Sequence, residues 1–212
     1  MKYSLSILIA FFTLSLFAQQ QKEARVVLDR TAAAFEKAGG VTADFHIKVS
    51  SKGRRQGDSQ GVIQLKGEKF VLTTPDVTTW FDGQTQWSYL SASDEVNVST
   101  PTPAELQSIN PYALLYLYKK GFSYKLGNTK LWRGKPVYEV ILDAANKNQE
   151  LSHVVLFVAK DSYQPLSIHV ETRDKMRSEI TITGYQTGLK YADTLFVFNR
   201  KQYPNVEIID LR

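Results

Sequence analysis

Three histidines, His46, His153 and His169, are the side chains of this chain whose charge changes near neutral pH. Each is a candidate general base or metal ligand. They sit on the polar phase or at the start of strand-like segments, with no partner at a spacing that metal binding or acid–base work requires. Asp94–Glu95 and Glu171 with Asp174 have the residue types of a paired-carboxylate site, but each pair falls at a turn, where acidic residues are ordinary. Gly53-Arg-Arg-Gln-Gly57 places two cations between glycines and has the types to hold a phosphate. No strand-then-helix pattern surrounds it, which favours a hairpin tip. The nucleophile motifs G-x-S-x-G and S-x-x-K and the metalloprotease motif H-E-x-x-H are missing. Asn97-Val-Ser99 matches a glycosylation triplet within a strand pattern. There is no cysteine, which excludes disulfides, thiolate metal sites and a cysteine nucleophile. These residues predict a protein that is not an enzyme, holds no metal and uses no cofactor.

The elements around them are mostly strands. Six short alternating segments run between residues 43 and 99, among them Ala43/Phe45/Ile47/Val49, Ile63/Leu65, Phe70/Leu72, Trp87/Tyr89 and Val96/Val98. Turn signals separate them at Gly53–Arg54, Gly67–Glu68, Pro75–Asp76, Asp82–Gly83 and Ser93–Asp94. This is the spacing of an antiparallel meander. Strand patterns return at 137–142, 153–159, 166–170 and 180–182, then at Leu195–Phe198 and Val206–Ile209. Two helices are expected: Glu23–Ala38, ended by Gly39–Gly40, and a short apolar one opened by Asn110–Pro111 that carries Tyr112-Ala-Leu-Leu-Tyr-Leu-Tyr118. About eleven strands and two helices predict one large antiparallel sheet with the helices as its only available cover.

The aromatic residues carry most of the information. Phe45, Phe70, Trp80, Trp87 and Tyr89 fall on the apolar phases of successive strands. A packed sandwich core and a ligand cavity both produce that pattern. The width of a lone curved sheet and the all-round apolar character of the 112–118 helix favour the cavity. Its expected lining is Phe45, Ile47, Phe70, Leu72, Trp80, Trp87 and Tyr89 on the sheet, with Leu114, Leu115 and Leu117 on the cover.

The chain begins with Lys2, an apolar run from Leu5 to Phe17, Ala18, and then three glutamines. That is the pattern of a secretory signal peptide, and the run is shorter than the ~20 residues of a transmembrane helix. We read residues 1–18 as a cleaved signal and 19–212 as a single exported domain. With 26 basic and 21 acidic residues, the charge is too mixed for a nucleic-acid-binding face.

Against this background the sequence resembles a known family. Val41-Thr-Ala-Asp-Phe-His46, Gly61-Val-Ile-Gln-Leu-Lys-Gly-Glu-Lys-Phe70, Thr74–Pro75 and Asp82-Gly-x-x-x-Trp87-x-Tyr89 look like the periplasmic lipoprotein carrier family, LolA. Asn110–Pro111 with Leu114–Leu115 resembles that family's mid-chain helix, and Phe196-Val-Phe198 with Asn205-Val-Glu-Ile-Ile-Asp210 resembles its ending. The resemblance implies a mainly β fold, an unclosed antiparallel half-barrel of about eleven strands with a helical lid over a hydrophobic cavity. It also implies a periplasmic monomer that shuttles the acyl chains of lipoproteins, with an inner-membrane release complex and an outer-membrane receptor as partners. A lipid- or glycolipid-binding module, or an envelope sensor of the same fold, is the alternative. One departure stands out. Where the family has an Arg that bonds the lid helices, this chain has Lys66-Gly-Glu-Lys69.

Overall fold

The computed structural model describes residues 2–102, 105–106 and 111–212, with side chains from Gln19 onward except at 111 and 112. In chain order these residues form helix α1 (Lys2–Lys37), then β1 (Gly40–Ser51), β2 (Arg54–Lys66), β3 (Lys69–Thr73), β4 (Val77–Phe81), β5 (Gln86–Leu90) and β6 (Glu95–Ser99). A 3₁₀ helix (Pro111–Lys119) leads to β7 (Phe122–Leu126), β8 (Leu131–Trp132), β9 (Lys135–Ala144), β10 (Leu151–Ala159), β11 (Pro165–Thr172) and β12 (Met176–Leu189). Two 3₁₀ turns (Asp193–Phe196 and Arg200–Gln202) precede β13 (Glu207–Asp210). The chain is thus mainly β, with antiparallel strands in an unclosed sheet, as its alternation predicts. Leu195–Phe198, expected as a strand, is instead the end of a 3₁₀ turn and the extended residues after it. The residue proposed to cap the second helix, Asn110, lies outside the described residues. Among the described residues no helix is long and apolar enough to cross a membrane, a statement about helices alone.

The chain divides into two compact units. The first comprises Met1–Ala34 and Leu115–Arg177. Its strand order is β11-β10-β9-β7, with β8 folded back on β9. The β9–β10–β11 register puts Val140, Leu142, Val154, Leu156, Ile168 and Val170 on one face. All but Val170 are fully buried. In α1, buried Ala24, Val27, Leu28, Thr31, Ala32 and Phe35 recur at three- and four-residue steps, which is one stripe of an α-helix. Arg25 Nη1 and Arg30 Nη1 tie the helix to Tyr124 (3.4 Å) and Tyr163 (2.7 Å) within this unit.

The second unit comprises Phe35–Leu114 and Ser178–Arg212. Its strands follow the order β13-β6-β5-β4-β3-β2-β1-β12, antiparallel except for the β13–β6 pair. Four of the five predicted turns lie between consecutive strands of this meander, and the fifth, expected at Gly53–Arg54, is found one residue earlier at Lys52–Gly53, with Arg54 opening β2. At the tip of β1–β2, Arg55 Nε donates to Asp58 at 3.0 Å, so Arg54 and Arg55 belong to a hairpin end rather than a phosphate loop.

Candidate functional site

Directly paired residues of antiparallel neighbours point to the same side of a sheet. Following the pairs across the second unit assigns the residues of β1–β6, apart from Gln56 at the β1–β2 register shift, to one of two faces. On one face Val41 pairs with Leu65, Ala43 with Ile63 and Phe45 with Gly61, then Leu65 with Phe70, Ile63 with Leu72, and Phe70 with Phe81. Phe45, Ile63, Leu65, Phe70 and Phe81 are buried, whereas Ile47 and Leu72 at the margin are half-buried. The Phe70 and Phe81 rings meet at 5.4 Å. Gly61 makes room for Phe45. A Cβ on Gly61 would sit 2.7 Å from the Phe45 ring and 2.3 Å from the Thr73 carbonyl oxygen. Four of the predicted lining residues, Phe45, Ile47, Phe70 and Leu72, therefore lie on a continuous apolar face, and Ile63, Leu65 and Phe81 extend it.

The other three predicted sheet residues are on the opposite face. Val71 pairs with Trp80, Trp80 with Trp87, and Tyr89 with Val96. The shared phase expected of all the aromatics fails here because alternation gives parity within one strand only. The hairpin turns set parity between strands, and the turn before β4 puts Phe81, not Trp80, on the side of Phe70. Trp80, Trp87 and Tyr89 have a different partner, the C-terminal segment. Phe196 is fully buried against Val71 and Trp80, with Tyr191, Leu195, Phe198 and Tyr203 packed around them. Trp80 meets Phe198 and Tyr203 edge-on at 5.5 and 5.8 Å, and Tyr89 meets Tyr203 at 4.8 Å. Val206 joins Val96 and Val98 in a second cluster on this face.

Lys66 belongs to the same clasp. Its Nζ donates to the Tyr191 carbonyl oxygen and to Asp193 Oδ1, both at 2.8 Å, and Lys69 adds a contact to Asp193 at 3.1 Å. The hydrogen bonds from Lys66 and then Lys69 hold the Asp193 carboxyl below its ordinary pKa. Lys66 therefore fastens the 191–193 segment within this unit, and its carboxylate partner opens the 3₁₀ turn Asp193–Phe196.

Of the predicted cover residues, Leu114 is buried in the second unit, and Leu115 and Leu117 are buried in the first. The end of that 3₁₀ helix is latched to α1 inside the first unit. Tyr118 Oη donates to Asp29 at 2.7 Å, and the Arg25 guanidinium lies 5.2 Å from the Tyr118 ring centre. Burial, reinforced by the Asp29 carboxylate, pushes the Tyr118 hydroxyl well above its ordinary pKa. Burial also acts to raise Asp29, but the Tyr118 and Arg25 hydrogen bonds outweigh it and the carboxyl lies below its ordinary value. Sequence reading missed this latch because its members lie 89 residues apart.

The polar candidates are engaged elsewhere. His153 Nδ1 is 2.7 Å from Asp143, His46 lies 3.9 Å from Asp58, and the His169 ring meets Phe157 at 5.1 Å. Asp94 accepts from Tyr89 and Glu95 from Ser93. Glu171 pairs with Lys175 and Arg177, whose hydrogen bonds hold it below its ordinary pKa. Among the described residues no group of three or more His, Asp or Glu is placed to hold a metal.

Solved structures share the fold. An uncharacterized conserved protein from Thermus thermophilus superimposes with a TM-score of 0.59 at 11% identity, over 89% of this chain and 99% of its own. A DUF1329 family protein from Desulfovibrio piger gives 0.51 at 11% identity, over 84% and 97%. A weaker likeness, 0.48 at 11% identity over 85% and 99%, is to a putative outer membrane lipoprotein-sorting protein domain from Vibrio parahaemolyticus. No curated protein matches the chain in sequence. The family described as outer membrane lipoprotein carrier protein LolA matches residues 14–177, well over half of the chain. With that match and the sheet just described, the chain belongs to the outer membrane lipoprotein carrier protein LolA family.

Proposed function

We propose that this protein is an exported periplasmic carrier. In this reading residues 1–18 are removed, and the remaining chain takes up acyl chains of lipoproteins at the inner membrane and delivers them to the outer membrane. The observation that carries the proposal is the apolar face of the second unit, built on Phe45, Phe70 and Phe81 and ending in half-buried Ile47 and Leu72. Membership of the family supports it. The physical task suits such a surface. Each buried methylene is worth about 0.8 kcal/mol, so an acyl chain of ~14 methylenes gains roughly 11 kcal/mol on leaving water. An apolar face supplies most of that. It must stay below what a membrane supplies, or release fails. Half-buried residues at its margin are suited to imperfect complementarity.

The test compares the two faces. Ile47→Glu and Leu72→Glu are expected to lower the affinity for a fluorescent fatty acid at least tenfold, whereas Trp87→Ala, on the clasped face, leaves it within about twofold. Native mass spectrometry of protein purified from periplasm is expected to show an acyl-bearing adduct. Wild-type affinity in both Glu variants, with a clean apo mass, would refute the reading.

A further inference from the structure

The sequence from Lys119 to Tyr138 holds six basic residues (Lys119, Lys120, Lys125, Lys130, Arg133 and Lys135) and no acidic one, in a chain that is otherwise close to balance. Its tip is the β8–β9 hairpin. Leu131 pairs with Pro136 and Trp132 with Lys135 across a two-residue turn, Arg133–Gly134, in which both residues have positive φ (49° and 78°). That is the backbone of a tight hairpin turn, and Arg is an unusual residue to hold there. The hairpin is braced from behind. Val137 N donates to the Lys130 carbonyl oxygen at 2.9 Å and Lys160 N to that of Pro136 at 3.1 Å. The Trp132 ring stacks on buried Phe157 at 6.2 Å, and the Arg133 guanidinium caps it from 4.6 Å. Leu131, on the other side of this braced ribbon, is 61% exposed, beside exposed Pro136. Lys130, Arg133, Lys135 and Lys160 are exposed around it.

From this arrangement we propose that the β8–β9 hairpin is a docking tip for an anionic lipid bilayer. Lys130, Arg133 and Lys135 bind lipid phosphates, Leu131 enters the interface, and Trp132 lies at headgroup depth. An aliphatic tip, an indole and a cluster of cations form the chemistry of a membrane interface; the acids beside them are Glu139, which accepts from the Thr129 N–H at 2.9 Å, and Asp161, next to Lys160 in sequence. An acidic protein partner fits less well, since a stable protein interface needs ~800 Å² per side and the apolar tip here is a leucine and a proline. The site lies in the first unit and does not depend on the carrier reading.

The test is co-sedimentation of the purified full chain with phosphatidylethanolamine–phosphatidylglycerol vesicles and with phosphatidylcholine vesicles. All variants carry the same N-terminus, so its contribution cancels. Wild type is expected to prefer the anionic vesicles and to lose binding as salt rises. Combined Lys130→Gln, Arg133→Gln and Lys135→Gln lowers partitioning about a hundredfold, and Leu131→Ser lowers it about tenfold. Both hairpin variants retain wild-type melting and wild-type fatty-acid probe binding. Equal sedimentation of wild type and variants, no preference for anionic vesicles, or binding of an acidic protein with no binding of vesicles overturns the proposal. Loss of probe binding in Ile47→Glu with vesicle binding intact leaves it standing and bears on the carrier reading alone.

Discussion

The pairing of Phe45 with Gly61 shows how one residue without a side chain shapes the candidate face. The phenyl ring of Phe45 lies over the strand-pair position that Gly61 leaves empty, and the Thr73 carbonyl oxygen closes the space from the other side. Glycine within a strand normally costs stability, and it is retained where another group must come close. Gly61→Ala is therefore expected to lower stability by about 1–3 kcal/mol, because the Phe45 ring can turn away but the Thr73 backbone cannot. Thermal melts measure this, and an unchanged melt would mean that the strand shifts freely. At Tyr118, removing only the hydroxyl (Tyr118→Phe) deletes the bond to Asp29 and keeps the ring. The expected loss is about 1 kcal/mol, read by denaturant unfolding.

At the scale of elements, the C-terminal segment behaves as a clasp across the Trp80 face of β3–β6. Phe196 packs on Trp80 in its apolar contact, and Lys66 and Lys69 pair with Asp193 at 2.8 and 3.1 Å. Trp80→Ala removes a ring that is 8% exposed and is expected to cost about 3–5 kcal/mol. Asp193→Asn leaves that core intact and loosens the segment, so trypsin should cut after Lys190, Arg200 and Lys201 severalfold faster. Asp193 also gives the clasp a pH dependence. Its carboxyl is held below its ordinary value of 3.8, so its contribution is complete above that value and is lost as pH falls from there through the lowered one. Cleavage of the wild type within Leu195–Phe198 by pepsin, a protease active in acid, should accelerate over that range, and Asp193→Asn should show a smaller change. The motifs behind the family resemblance gain a physical reason from this packing. Trp87 and Tyr89 of the Asp-Gly motif and Phe196 and Phe198 of the ending lie in the two clusters where the clasp meets the sheet.

For the whole molecule, the proposed carriage of acyl chains requires affinity that is large against water and modest against a membrane. A protein that binds too well cannot unload. Filling the margin of the face is therefore expected to trap cargo. Leu72→Phe should slow release of a fluorescent fatty acid to acceptor vesicles more than it changes equilibrium uptake, as stopped-flow transfer would show. Faster release in that variant would contradict the idea that the margin limits complementarity.

The sequence by itself determined the class of fold and most element boundaries of the meander, because alternation and turn residues are local properties of five to ten neighbouring residues. In helix α1 the periodicity of Val27, Leu28, Thr31 and Phe35 was legible for the same reason, whereas the small residues Ala24 and Ala32 joined the buried stripe only in the structure. The residues of the first apolar face in β1–β3 were also legible, since Phe45, Ile47, Phe70 and Leu72 keep one face through β2, the register shift of β1–β2 at Val49/Ser50 lying beyond Ile47. Only the tertiary structure decided that Trp80, Trp87 and Tyr89 turn the other way, that Phe81 replaces Trp80 beside Phe70, and that Lys66 reaches Asp193 across 127 positions of sequence. Strand parity passes from one strand to the next only through backbone pairing. A clasp between distant segments forms only where burial brings their side chains together, and no local pattern encodes either.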